Sequence, residues 1–296
     1  MAVIEKNGFM FFEKSNFRDE AIIIIEKYLD DAIVYINQYN IQYISIRNNG
    51  FSKEYTDEIF PMEKLKQINS DILDFDIDYK NITINNNISF DKLERFRLAD
   101  CNVEALDFNC FQNLKRLGCN WSGNFKNLES CFKLEAMGFD KYKSKEKNLY
   151  EIGKHLNLNF LSFVHGNLAT LEGIENFPKL ETLELSYQRN LIFIKDLGKI
   201  KDSLIGLNIE GARNIKDYES VAKLKNLKYL RFDKCGEIES LDFINDMPNL
   251  EAITFYKTNI KDGNMLPLLK LKRCWYDSKR HYSHRYEKME KMLEEK

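Results

Sequence analysis

The sequence contains no hydrophobic run long enough to cross a membrane. Its isoleucine run, Ile22–Ile25, covers four residues, where a membrane-spanning helix needs about 20. It has no basic excess: 44 Lys and Arg stand against 46 Asp and Glu, for a formal net charge of -2. A protein that holds nucleic acid by neutralising phosphates carries such an excess, so that class is disfavoured. No C-x-x-C pair occurs among Cys101, Cys110, Cys119, Cys131, Cys235 and Cys274, which removes the usual structural zinc site. There is no P-loop and no G-x-G-x-x-G, and no cofactor or metal is expected. The first twelve residues lack the basic segment, long apolar stretch and small-residue cleavage site of a signal peptide. A cytoplasmic, reduced protein is therefore expected.

What is present is a period. The pattern φxxφxφ, with φ apolar, recurs as Leu180-x-x-Leu183-x-Leu185, Leu204-x-x-Leu207-x-Ile209, Leu227-x-x-Leu230-x-Phe232 and Leu250-x-x-Ile253-x-Phe255. Eleven starts can be placed, at Ile41, Ile72, Leu93, Leu114, Leu134, Leu158, Leu180, Leu204, Leu227, Leu250 and Leu271. The spacing is near 22 residues except for a longer first gap. That gap implies an insertion between Arg47 and Asp71 that includes Phe51–Phe60 and Pro61. Ile82-x-Ile84 offers a competing register for the second unit.

The last two apolar residues of each copy are two apart, the strand period, so they point inward and their neighbours outward. Apolar steps of three and four follow, such as Leu191, Ile194, Leu197 and Ile200. These predict short helices or 3₁₀ turns on the opposite side. Pro178 and Pro248 sit two residues before a start and favour an extended chain there. Asparagines just past the strands (Asn49, Asn102, Asn167, Asn190, Asn214, Asn259) are expected to turn inward and satisfy backbone groups of the adjacent unit. Cys101 and Cys235 read as substitutes on that ladder. Cys119 and Cys274 fall on apolar positions as small core residues. At the front, a short strand over Gly8–Glu13 and a helix from about Arg18 to Gln38 are predicted. Asn16 would cap that helix, and Ile22, Ile25, Leu29, Ala32, Ile33 and Ile36 would line one face. At the back, Tyr286, Met289, Met292 and Leu293 predict a closing helix.

A period of 20–29 residues with this core marks a leucine-rich repeat. Residues 158–260 resemble bacterial leucine-rich repeats, most closely the internalin-type 22-residue class, and the resemblance extends more weakly over 93–157. It implies an α/β solenoid, a leucine-rich repeat horseshoe. The parallel β-sheet would line the concave face, with short helices or 3₁₀ turns on the convex face and helical caps at both ends. The expected organisation is an N-terminal cap over 1–40, a solenoid of about eleven units over 41–277, and a capping helix over 278–296. The family mostly provides protein-binding surfaces on the concave face. With no secretion signal and no wall-anchoring tail in the sequence, a cell-surface role like that of the surface internalins is not expected.

Fold logic then gives the candidate partner-binding residues: Tyr43, Arg47, Asp74, Asp76, Arg95, Arg97, Arg116, Trp121, Phe160, His165, Glu184, Tyr187, Glu210, Tyr229, Arg231, Asp233, Tyr256 and Trp275. Exposed Tyr, Trp and Arg are the types enriched at binding hot spots. The Asp74/Asp76/Asp78 band beside Arg95/Arg97 reads equally as a recognition feature or as neutralisation between neighbouring strands. The expected function is a non-enzymatic scaffold, a monomer when unbound, that binds another protein. A narrower form is an inhibitor or immunity protein occluding a toxic enzyme. One alternative is a nucleic-acid- or membrane-associated adaptor using Arg95, Arg97, Arg116 and Trp121. The other is an enzyme using the His281/His284 pair.

Overall fold

A computed structural model describes residues 2–14, 19–47, 60–79, 82–84, 90–99 and 101–295. The expectations for Asn16, Asn49 and residues 51–59, and for the side chain of Asn102, lie outside the described residues. The chain divides into two compact units, Met1–Glu135 and Ala136–Lys296.

In the first unit the main sheet contains β1 (Val3–Lys6), β2 (Phe9–Phe12), β3 (Ala21–Ile24), β4 (Tyr43–Arg47), β5 (Asp74–Asp78), β6 (Arg95–Ala99) and β7 (Arg116–Asn120), in that spatial order. β1, β2 and β3 pair antiparallel; from β3 onward every pairing is parallel. In the second unit the sheet contains β8 (Ala136–Asp140), β9 (Phe160–Val164), β10 (Thr182–Ser186), β11 (Gly206–Glu210), β12 (Tyr229–Asp233), β13 (Ala252–Thr254) and β14 (Arg273–Trp275), all parallel. Each strand from β4 to β14 begins two residues after the leading apolar residue of its repeat. The chain folds as a leucine-rich repeat solenoid. Ile72 rather than Ile82 sets the second register, since Thr83–Ile84 pairs with Asn102–Val103 in a separate small sheet.

The alternation works as the strand period requires. Leu183 and Leu185 are fully buried, while Thr182, Glu184 and Ser186 between them are not. The return connections are 3₁₀ turns, among them Lys195–Ile200, Tyr218–Lys223, Asp242–Asp246 and Leu266–Lys270. A 3₁₀ turn rises about 2.0 Å per residue against 1.5 Å for an α-helix. Few residues therefore cross the width of a repeat and still bury Leu197, Val221, Ile244 and Leu268. In the first unit the core is an aromatic ladder: Phe75 stacks on Phe96 with centroids 5.6 Å apart, and Phe96 meets Phe111 at 5.2 Å.

The N-terminal segment departs from expectation. The predicted helix over 18–38 is only α1 (Leu29–Tyr39), ended by Asn40 in the left-handed conformation with its N–H on the Ile36 carbonyl. Ile22, Ile23 and Ile24 lie in β3, fully or almost fully buried, and pair in parallel with β4. β-branched side chains are stiff in a helix and fit a strand covered on both faces. Of the six positions that fit a helical stripe, Ile22 thus lies in a buried strand, Leu29, Ala32, Ile33 and Ile36 in a shorter helix, and Ile25 in the link between them. At the other end α2 (Tyr286–Glu294) packs on β14 and the Leu266–Lys270 turn and buries Met289. Among the described residues no helix is long and apolar enough to cross a membrane.

Candidate binding surface

The residue directly after each of β8–β12 decides how the chain leaves the sheet. Lys141, His165, Tyr187, Gly211 and Lys234 there, and Lys257 three residues past β13, all have positive φ, between 51° and 70°. In this conformation the N–H of each of the first four reaches the last carbonyl of the neighbouring repeat's strand, as His165 N–H does to Ser186 at 3.0 Å, and Lys234 N–H reaches the Tyr256 carbonyl just past β13. The next residue then points inward: Tyr142, Gln188, Ala212, Cys235 and Thr258 are buried. These, and not the asparagines, fill the inner ladder. Thr258 donates its hydroxyl to the Phe232 carbonyl and accepts the Cys235 N–H at 3.0 Å. Asn190 and Asn214 are exposed. Asn167 does span to its neighbour, bonding both the N–H and the carbonyl of Ser144, and Asn214 reaches the Arg189 carbonyl at 2.7 Å. Asn259 bonds side chains instead.

In the first unit the outer face is largely closed. Arg47, Asp74 and Asp76, expected to be exposed, are 8%, 3% and 3% exposed. Arg47 bridges Asp76 at 2.5 Å and Asp78 at 2.9 Å, and its guanidinium lies 5.1 Å from the Phe12 ring centre. Arg95 pairs with Asp74 and Arg97 with Asp76, each at 2.9 Å. The register makes this unavoidable, because Asp74 and Asp76 stand directly opposite Arg95 and Arg97 on adjacent parallel strands. The charge bands neutralise each other; Arg97 stays exposed while paired, and Arg116, also exposed, forms no ion pair among the described residues. Trp121 is half-buried, with its ring edge-on to Phe125 at 5.6 Å. The proposed basic-aromatic track is therefore mostly occupied internally. Tyr43 is half-buried beside these strands, its hydroxyl pushed upward in pKa by burial and by Asp19.

In the second unit the outer face is open and uneven. Over β8–β11 it is low: Gly138, Ser162, Thr182, Gly206 and Asn208, with Phe160 and Glu184 among them, all half-buried. Over β12–β14 it rises into large side chains. Tyr229 is 47% exposed, Tyr256 43% and Trp275 64%. Arg231 stands between them and is held by Asp233 through its Nε at 2.6 Å. Asp233, expected to be exposed, is 3% exposed because its other oxygen accepts the Tyr256 N–H at 2.8 Å.

A third set runs along the strand ends. His165 stacks on Tyr187 with centroids 5.1 Å apart, and its Nδ1 lies 3.1 Å from Asp140. The Tyr187 hydroxyl donates to Glu210 at 2.9 Å, and the Lys234 ammonium meets the same oxygen at 2.6 Å. The hydrogen bonds from Lys234 and Tyr187 hold the Glu210 carboxyl below its usual range, against the opposing effect of burial; the same pairing raises Lys234. A Cβ on Gly211 would come within 2.7 Å of the Tyr187 ring, so glycine lets the ring lie flat over this turn. Lys234 was not among the sequence candidates. Its signal was available as the recurring position directly after each strand.

The histidine pair is part of the C-terminal cap. His281 Nε2 lies 2.9 Å from the Ile260 carbonyl, and His284 Nδ1 lies 3.0 Å from the Ser283 hydroxyl. Among the described residues no group of three or more His, Cys, Asp or Glu could hold a metal ion.

No family model matches the chain. Solved structures with related shapes include internalin C2 of Listeria monocytogenes, at 16% identity and a TM-score of 0.47 over 56% of this chain and 70% of that one. Internalin F of the same species gives 13% and 0.46 over 89% and 82%. A leucine-rich repeat protein of Leptospira interrogans gives 16% and 0.40 over 81% and 73%. The repeat fold itself is read from this chain's own period and strand register.

Proposed function

We propose that this chain is a protein-binding scaffold whose contact surface is the outer face of the second unit's sheet. The observation that carries the reading is the row Tyr229, Tyr256 and Trp275, three large apolar side chains left exposed on or directly after consecutive strands. Fold stability does not need them there, since the core side chains of the same strands are buried independently. Tyr, Trp and Arg concentrate binding energy because each offers a large rigid contact with a polar end. Phe160, His165, Glu184, Tyr187, Glu210 and Arg231 would form the rim; Tyr43, Arg95, Arg97, Arg116 and Trp121 belong to a face already engaged in internal pairs. In its narrower form the scaffold occludes an enzyme, as an inhibitor or immunity protein does, from within a reduced compartment.

Affinity capture from the source organism tests this, comparing the native chain with the variant Tyr229→Ala/Tyr256→Ala/Trp275→Ala. One partner at fixed stoichiometry, recovered by the native chain and at least tenfold depleted with the variant, is the expected result. Equal recovery by both would remove this face as the contact surface. If the recovered partner is an enzyme, loss of its activity at a 1:1 ratio supports the inhibitor form.

A further inference from the structure

The low stretch of the outer face over β8–β11 contains two glycines that the fold does not require. Gly138 and Gly206 occupy outward strand positions, and neither has the positive φ that calls for glycine. A Cβ on Gly138 would meet nothing within 4 Å. One on Gly206 would lie 3.6 Å and 3.7 Å from atoms of the Thr182 side chain, an ordinary contact. Glycine inside a strand is destabilising relative to alanine, and it often marks a place where another chain or a ligand comes close.

The register shows what surrounds Gly206. Phe160, Thr182, Gly206 and Tyr229 stand side by side across β9–β12. The two rings therefore bound a trough about 14 Å wide along the sheet, three strand spacings, with Thr182 and Gly206 as its floor. The next row is Ser162, Glu184, Asn208 and Arg231, which puts the half-buried Glu184 beside that floor between two uncharged side chains. Its charge is not compensated within the face. Asp140 faces His165 at 3.1 Å and Lys141 at 3.8 Å, Glu210 meets Lys234 at 2.6 Å, and Arg231 is committed to Asp233. Glu184 forms no ion pair among the described residues. The outward positions of both adjacent strands, Phe160, Ser162 and Val164 on one side and Gly206, Asn208 and Glu210 on the other, hold no cation.

We propose that this trough receives an arginine side chain of a protein partner. The guanidinium pairs with Glu184, and its stem crosses the space left open at Gly206 with a flat face against the Tyr229 ring. The inference rests on the binding-face reading above and adds the chemistry of one contact within it. A guanidinium can bond a carboxylate through two parallel N–H groups and still lie against an aromatic face. A lysine ammonium offers the carboxylate only a point charge. Glu184 is partly shielded from water, so such a pair is screened less than one at a fully exposed rim. A phosphate backbone is disfavoured here, since the uncompensated charge of the trough is negative.

The test is selection of a random dodecapeptide display library on the full chain, followed by affinity measurement of the selected peptides on the native chain and its variants. Expected peptides share an arginine whose replacement by alanine lowers affinity at least tenfold. Glu184→Gln should weaken the arginine peptide at least tenfold and its alanine version less than twofold, a coupling that places the two groups in contact. Gly206→Val, which fills the trough, should weaken the arginine peptide to a similar degree. Gly206→Ala should unfold at or above the native temperature, because a Cβ has room there. A lower unfolding temperature for Gly206→Ala would overturn the premise that the gap is free of any fold requirement. Should Gly206→Val disturb the strand, the coupling with Glu184→Gln still decides. Peptides that weaken on Tyr229→Ala/Tyr256→Ala/Trp275→Ala but bind Glu184→Gln as the native chain would overturn this inference while sustaining the binding face. Selection of peptides without arginine, or of none, would also overturn it. Peptides indifferent to every outer-face substitution would overturn both.

Discussion

At the scale of single residues, the pattern predicts thiol chemistry and pH response. All six cysteines are free thiols, but Cys119, Cys131, Cys235 and Cys274 are buried, and burial pushes Cys131, Cys235 and Cys274 up to about 12. The thiolate is the reactive form. Native labelling with a thiol reagent at neutral pH should therefore modify Cys101 and Cys110 quickly and the other four only after unfolding. Peptide mapping by mass spectrometry checks this. Glu210 makes a second case. Its folded carboxyl titrates below its unfolded value, so the stabilisation is present above the ordinary glutamate range and is lost as pH falls through the depressed value. Lys234 is raised, so its share is present below the ordinary lysine value and fades as pH rises through the higher one. Thermal unfolding of Glu210→Gln against the native chain should show a gap at neutral pH that closes in acid. A gap constant from neutral pH to strong acid would contradict the assigned pairing.

At the scale of elements, the strands and their turns were legible because they repeat. One position of φxxφxφ misplaced by a single residue would expose a leucine, so eleven copies fix the register together. The N-terminal helix was misjudged because the isoleucine run Ile22–Ile25 fits helical spacing as well as it fits a strand. Only its parallel partner β4 decides between them. The inner ladder was misplaced for a similar reason: the left-handed residue before it is no fixed type, being Lys, His, Tyr or Gly. The buried Arg47 network gives an element-scale prediction. Arg47→Ala would remove the cation that buried Asp76 and part-exposed Asp78 share, leaving Asp76 with Arg97. Removing one partner of a fully buried pair typically costs about 3–5 kcal/mol; a loss below that range is expected here, measurable by chemical denaturation. Gly211→Ala should destabilise by about 1–3 kcal/mol, through positive φ and the clash with Tyr187.

At the scale of the molecule, the repeat turns one sequence rule into two surfaces. The candidate face was half legible. Sequence alternation separated outward from inward positions but could not show which outward residues are already spent on each other. Arg47, Asp74, Asp76 and Asp233 are spent in this way, and the register between neighbouring strands is what reveals it. Tyr229, Tyr256 and Trp275 have no such demand on them, which is why the second unit's outer face is the proposed contact surface.

That separation of faces can be tested on two adjacent residues of β12. Tyr229 is exposed and Leu230 is 3% exposed. Denaturant unfolding of Tyr229→Ala should stay within about 0.5 kcal/mol of the native chain. Leu230→Ala should lose about 2–5 kcal/mol. Comparable losses for the two, or a larger loss for Tyr229→Ala, would contradict the face assignment on which the proposed contact surface depends.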